Sequence, residues 1–349
     1  MKEFGVFIVV VLLSLVLYWG IEPYAHHELH PQTSMANYDF EAEDLAHAQD
    51  MLNSATKALE LAKSSNDEKK IAAASAELEN AKNLLQSYTD FWSDINSIDL
   101  SKGDAMRGSE LFMNAGCIGC HSLTHAGFEP AMDDRASSES FGVAVPDLST
   151  AGAIYDDKFL AAIIKDPVKA VKLNHKFGEE QMHPMPQFFG AGTSDVNLEI
   201  ADLVAYLKSV SNDYIKAYDS ISDEVLFKDA CQRCHDIKYD EKYILGNKVK
   251  LTEYMGSMPP DLSMMIRAKN SDNYLNKLIN NPQKMLPGTS MPRVGLNEQY
   301  EQQLVGYLEK VGDSKKSERE NIGIYAMVYF LILGIFATLW KRKVWKELH

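Results

Sequence analysis

All four cysteines of the chain fall into two copies of one pattern, Cys117-Ile-Gly-Cys120-His121 and Cys231-Gln-Arg-Cys234-His235. Two cysteines three residues apart can each form a thioether to a haem vinyl group, and the adjacent histidine then lies under the iron as its proximal ligand. Zinc ribbons space their cysteine pairs by roughly 15–20 residues, whereas these pairs are 114 apart. A redox dithiol of the thioredoxin kind belongs to a βαβ context, and no such pattern surrounds either pair. Neither alternative accounts for the histidine after both pairs. The expectation is two covalently bound haem c groups, attached at Cys117, Cys120, Cys231 and Cys234, with His121 and His235 as iron ligands.

A sixth ligand would be His or Met. With 15 methionines in the chain, most are core gap-fillers, so the choice rests on position. Met185 and Met291 each precede a proline (His183-Pro184-Met185-Pro186 and Ser290-Met291-Pro292), and each lies shortly before the last helix of its segment. A proline-stiffened loop can hold a thioether at an iron without helical support. Met182, His183 and His175 compete at the first haem, Met285 and Met258 at the second. His125 reads as a surface residue near the first haem, and His26, His27 and His30 as interfacial residues. No paired carboxylates, Ser-His-Asp set or open metal position accompanies these motifs, so no catalytic residue and no independent catalytic site is expected. Two filled axial positions disfavour oxygen or peroxide chemistry and favour single-electron relay, at a potential raised by Met/His ligation.

The elements that must position these groups come twice. Val145-Pro146-Asp147-Leu148-Ser149 answers Pro259-Pro260-Asp261-Leu262-Ser263 at the same offset of 114. Phe159-Leu160 through Asp166-Pro167 answers Tyr274-Leu275 through Asn281-Pro282, Met185-Pro186 answers Met291-Pro292, and Leu203-Val204-Ala205-Tyr206-Leu207 answers Leu304-Val305-Gly306-Tyr307-Leu308. Elements repeated in one order mark a module used twice. Each copy opens with a short helix (108–112; 223–227) and closes with an amphipathic one, capped by Ser194 or Asp195 in the first and Asn297 in the second. The middle helices end at Asp166-Pro167 and Asn281-Pro282, because proline disfavours the helical conformation of its predecessor. No alternation suggests a β-hairpin.

Residues 36 to about 96 read as two amphipathic helices joined at Ser64-Ser65-Asn66-Asp67. Their apolar stripes are Leu45, Ala48, Met51, Leu52, Ala55, Leu59 and Ala62, then Ala72, Leu78, Ala81, Leu84 and Leu85. No chemistry is visible in this hairpin, which reads as a packing or interaction arm. At the N-terminus FGVFIVVVLLSLVLYWG runs seventeen residues without a charge, the lower limit for a membrane span. No small-residue cleavage site follows closely, which favours an uncleaved signal anchor over a removed signal peptide, with Tyr18, Trp19 and Tyr24 at the outer interface. At the other end nineteen uncharged residues, 322–340, are closed by Lys341, Arg342, Lys343 and Lys346. Positive charge marks the cytoplasmic side, so the body between the anchors is expected in the periplasm. Net charge is −14 over 349 residues, which excludes nucleic acid reached through phosphate contacts. Between the anchors, residues 22–321 carry 30 positive and 47 negative side chains, about −17. That acidity suits electrostatic steering of a basic partner.

A module with Gly-x-x-Leu-Phe before the haem motif, Pro-Asp-Leu-Ser after it and Met-Pro before the last helix resembles class I cytochrome c. The whole chain is similar to the di-haem cytochrome c1 subunits of bacterial ubiquinol:cytochrome c oxidoreductases, with its anchor reading YWGIEPYAHHELHP, helical hairpin, two modules and second anchor. The resemblance implies a mostly α protein with two tandem class I cytochrome c domains. Its parts are an N-terminal transmembrane anchor (1–23), a hairpin (36–98), cytochrome c domains (99–215 and 216–313) and a C-terminal transmembrane anchor (320–342). It further implies a place in the bacterial inner membrane, cytochrome b and Rieske iron–sulfur subunits as partners in a dimeric complex, and a basic c-type cytochrome as acceptor. The electron-donating di-haem subunit of a cbb3-type terminal oxidase is the alternative. A di-haem peroxidase is disfavoured by the paired Met-Pro motifs.

Overall fold

The computed structural model describes residues 2–21, 24, 38–178, 181–192, 194–267 and 273–348. The readings of His26, His27 and His30 lie outside them. Among the described residues the regular structure is helical and β-pairing is limited to isolated bridges, so the mostly α expectation holds. Helix α1 (Lys2–Val16) runs on through a π-helical turn, Leu17–Ile21.

The hairpin consists of α2 (Phe40–Ser64) and α3 (Glu68–Asn96). Asp39 caps α2 by accepting from the Ala42 amide at 3.0 Å, and Asp67 caps α3 through Lys69 at 3.1 Å. Buried Ala48, Ala55 and Ala62 on one helix and Ala74 and Ala81 on the other recur every seven residues, the period of a coiled-coil seam. Small side chains let the two axes approach closely. Met51 and Ala72, placed on the apolar stripes by sequence, are exposed instead, because an alanine seam between two helices is narrow and leaves its flanks in water. The hairpin is also no free arm. Phe40, Tyr88, Phe91, Trp92 and Ile95 are buried in the same core as Phe159, Leu160 and Leu203 of the first module. The aromatic end of α3, beyond the stripe read from sequence, makes that contact.

The first module contains α4 (Ala105–Asn114), α5 (Asp134–Phe141), α6 (Ala151–Ile154), α7 (Asp157–Lys165), α8 (Pro167–Ala170) and α9 (Val196–Tyr218). The second contains α10 (Asp223–Ala230), α11 (Lys248–Met255), α12 (Tyr274–Asn280), α13 (Pro282–Met285) and α14 (Glu298–Gly312). The opening helices are longer than the stretches read from sequence: the first because Asp104 caps it three residues upstream, the second because it starts at Asp223 under the Ser222 cap but runs on to Ala230. Asp195 rather than Ser194 caps α9, accepting from Leu198 at 3.0 Å, and Asn297 caps α14 through Tyr300 at 3.2 Å. The helices α7 and α12 stop before Pro167 and Pro282, and in both copies the proline opens a short new helix.

Each module has its own core, but the two interlock. Ile154 of α6 is buried among Leu226, Phe227 and Leu304 of the second module. Tyr155 bridges to Leu296, the Asp156 amide donates to Gly295 O at 3.0 Å, and the Asn297 amide donates to Ile154 O at 3.0 Å. Gly295 has φ +78, and a Cβ there would lie 2.1 Å from the Phe159 ring, so only glycine closes this junction.

Among the described residues, two helical segments are long and apolar enough to cross a membrane. They are Phe4–Ile21, with mean hydropathy 2.6, and Asn321–Glu347, with mean hydropathy 2.3, the latter within α15 (Lys316–Leu348). No residue of either window is buried. They meet each other where Gly334 faces Phe7, whose ring a Cβ would approach to 2.8 Å. A small residue at such a contact is how apolar helices pack where burial from water offers no gain.

Candidate functional site

Both Cys-x-x-Cys-His segments are tight turns at the end of a short helix. In the first, α4 gives way to Gly116 at φ +79, a left-handed conformation that suits glycine. The Cys120 and His121 amides then donate back to Cys117 O at 3.2 and 2.8 Å. In the second, α10 runs directly into Cys231, and the Cys234 and His235 amides donate to Cys231 O, both at 3.0 Å. Each turn sets two sulfurs and an imidazole on one short stretch of backbone.

The imidazoles are oriented identically. His121 Nδ1 lies 3.1 Å from Pro146 O and His235 Nδ1 lies 2.8 Å from Pro260 O, each 25 residues downstream. An Nδ1–H donated to a carbonyl leaves the Nε2 lone pair for a metal and fixes the ring plane. Burial pushes both histidines below their ordinary pKa, against the opposing pull of the proline carbonyl, so each is held in the neutral, ligating form.

The Pro-Asp-Leu-Ser segment, found in the sequence only as a repeat, is therefore a histidine-orienting device. Its aspartate ties the loop to the turn in both copies. Asp147 accepts from the Ser149 and Thr124 amides at 2.7 and 3.0 Å, and Asp261 from the Ser263 and Lys238 amides at 2.8 and 3.4 Å. The serine hydroxyls accept from the His125 amide at 3.1 Å and the Tyr239 amide at 3.0 Å. A constant 25-residue separation from each histidine was the signal that could have assigned this role in advance.

The chemistry of the donor set fits haem. Burial pushes the Cys231 thiol up to about 12 and raises Cys117 and Cys234 as well, the reverse of the thiolate a redox dithiol needs. No group of three or more His, Cys, Asp or Glu side chains among the described residues could hold a metal ion, which leaves the zinc reading without a site. Arg233, between the second pair of cysteines, has a buried Nε with no hydrogen-bond partner. A haem carboxylate is the kind of acceptor such an atom needs. Burial, and more weakly the charge of Arg233, lower the pKa of His121 and of His183 in the first module.

The candidate sixth ligands lie in the loops read from sequence. Met185 and Met291 are both half-buried. In each loop a side chain two residues upstream takes the methionine amide: His183 Nδ1 at 3.2 Å for Met185, and Thr289 Oγ1 at 3.2 Å for Met291. His183, a competitor, is engaged by its own loop and packs edge-on against Phe177 at 4.9 Å. Met182 is 81% exposed and His175 is exposed. Met258 is exposed and its sulfur accepts from the Thr252 hydroxyl at 3.4 Å, while Met285 ends the short helix α13. His125, read as a surface residue, is half-buried between Tyr214 and Tyr218, with ring centroids at 5.2 and 5.9 Å. The length of α9 brings those tyrosines over it.

Two cysteines and an imidazole on a turn that follows a capped helix, closed by a last helix that crosses the first, describe a c-type cytochrome domain. Comparison with known families agrees: residues 105–211 match the family model for cytochrome c. No curated protein and no solved structure gave a match. The chain thus contains a cytochrome c domain, which implies covalently bound haem c and haem-based electron transfer.

Proposed function

We propose that the chain is a membrane-anchored di-haem cytochrome, the second haem being carried by residues 216–313 in the manner of the first. The observation that carries this reading is the duplicated orientation of His121 and His235 by Pro146 and Pro260, down to the aspartate and serine contacts around them. Bound haem supplies one-electron oxidation and reduction. Cys117, Cys120, Cys231 and Cys234 would hold the two groups, with His121, His235, Met185 and Met291 as the residues that would ligate the irons. The unpartnered Nε of Arg233 would suit a haem carboxylate. With those residues as ligands the groups would suit single-electron relay rather than substrate chemistry.

The anchors at both ends, packed on each other through Gly334 and Phe7, hold the haem-bearing body at a membrane surface, on the periplasmic side by the basic cluster after the second span. The relay then belongs to a quinol:cytochrome c oxidoreductase of the bacterial inner membrane. A Rieske iron–sulfur protein donates, cytochrome b is a further subunit, and a basic c-type cytochrome accepts at the acidic surface.

Purification of the native complex tests this reading. Co-purifying Rieske and cytochrome b subunits, with an intact mass exceeding the apoprotein by two haems, are the expected result. A haem–copper oxidase partner would reassign the relay to a cbb3-type oxidase, and a mass increase of one haem would remove the second site.

A further inference from the structure

Asp44, on the hairpin helix α2, is fully buried at 0% exposure. It accepts from Trp92 Nε1 of α3 at 3.1 Å, from Lys172 Nζ of the first module at 2.7 Å and from Arg293 Nη1 of the second at 2.9 Å. Arg293 Nη2 closes on the other carboxylate oxygen, giving a two-pronged grip. Burial opposes the charge on Asp44, but Arg293 and Lys172 outweigh it and hold the carboxyl below its usual range. The partners lie 128 and 249 residues away, so this one carboxylate joins the hairpin to both modules.

The Arg293 end of the cluster bears on haem chemistry. Arg293 follows Met291-Pro292 directly and is 1% exposed. Its Nε donates to Asn280 O at 2.7 Å, its amide donates to Val171 O at 3.1 Å, and its guanidinium lies over the Phe40 ring at 5.1 Å. Every nitrogen of the residue is thereby fixed, and proline at 292 stiffens the link back to Met291. Lys172 holds an unfavourable left-handed backbone, φ +61, while 4% exposed. A long side chain keeps that conformation only where its surroundings over-determine it.

The geometry points to Asp44 as a positioning residue for the second haem: the hairpin grips Arg293, Arg293 fixes the Met291-Pro292 loop, and the loop presents the methionine sulfur to the iron. This rests on the assignment of Met291 as the sixth ligand. The hairpin is then part of the redox machinery rather than an accessory arm. A purely structural cluster would alter stability alone and leave the redox properties of the folded protein untouched.

The experiment is a spectroelectrochemical titration of full-length, membrane-extracted holoprotein, with Met291→Ala as the reference. Asp44→Asn keeps the shape of the side chain and removes the charge that grips Arg293. It is expected to lower the potential of one haem only, the one shifted by Met291→Ala, by a fraction of the Met291→Ala shift, and to weaken the spectral signature of methionine ligation there. Lys172→Gln, which cuts the arm to the first module, is expected to leave that potential in place. An unchanged second potential in folded Asp44→Asn overturns the proposal, as does an equal shift in Lys172→Gln. Should Asp44→Asn fail to accumulate, Arg293→Lys keeps the charge, drops the two-pronged grip and decides the same question. If Met291→Ala itself shifts neither haem, the ligand assignment has failed, and that result is separate from any outcome at Asp44.

Discussion

Arg107 on α4 and Asp202 on α9 form a two-point ion pair, with Nε at 2.8 Å and Nη2 at 2.7 Å from the carboxylate. The same aspartate accepts from the Asp104 amide at 2.7 Å, so one carboxylate fixes both the start of the first helix and its crossing with the last. At that crossing Gly108 lies against the backbone of Asp202. The second module has no such glycine: Asp223 stands at the start of α10 and accepts from Gln303 of α14 at 2.9 Å. The two copies solve one packing problem with different chemistry.

That crossing leads to a paired stability prediction. A Cβ at Gly108 would sit 2.0 Å from Asp202 O and 2.7 Å from Tyr206 Cβ, and neither backbone nor Cβ can yield cheaply. Gly108→Ala should destabilise the protein by about 3 kcal/mol through overpacking. Gly306, inside α14, has nothing within 4 Å of a built Cβ, so Gly306→Ala should stabilise by roughly 0.5–1 kcal/mol through helix propensity. Denaturant midpoints of the two variants should move in opposite directions, and a shared direction would refute the packing argument.

The axial ligands can be read electrochemically. Met185→Ala and Met291→Ala should each leave haem attached, because attachment is through cysteine thioethers. Each should lower the potential of one haem, because methionine ligation raises it. Intact mass checks the first outcome and a redox titration the second. A variant whose potentials match the parent would place the sixth ligand elsewhere.

Acid sensitivity should arise in the hairpin. Burial, then the charge of Lys172, push His47 down to about 4, against weaker opposing effects of Asp44 and Asp50. Its Nδ1 lies 3.3 Å from Lys172 Nζ. Because the folded pKa is depressed, the folded state binds this proton less well than the unfolded chain. The stability associated with His47 is full above about pH 6.5 and is lost as pH falls toward 4. His47 is only half-buried, so the discounted loss at pH 5 is about 1 kcal/mol. Urea midpoints at pH 7 and pH 5 should differ less in His47→Gln than in the parent. An equal drop in both would clear His47.

Electron transfer to a basic cytochrome should depend on salt. The body between the anchors carries about −17, and steering by such a charge is screened over roughly 10 Å at 0.1 M. Stopped-flow rates with a basic c-type cytochrome should fall as ionic strength rises. A flat or rising profile would leave the acidity as a solubility feature.

The parts legible in the sequence are those whose physics is local. The turn that sets two cysteines and a histidine on one stretch of backbone needs five consecutive residues, so Cys117 to His121 and Cys231 to His235 could be read directly along the chain. The caps at Asp195 and Asn297, the proline stops at 167 and 282, and the two uncharged spans likewise depend on a few neighbours along the chain. The repeat made the Pro-Asp-Leu-Ser segments visible, but not their task, because the carbonyl of Pro146 meets His121 only after the loop has closed. Tertiary structure alone decided that the hairpin shares the first module's core and that Tyr155 pairs with Leu296 across the modules. It also turned Asp44, one more acidic residue on an amphipathic helix by its sequence, into the meeting point of Lys172 and Arg293. No local pattern encodes a contact 249 residues away; a charge is buried there because the fold delivers its partners to the same place.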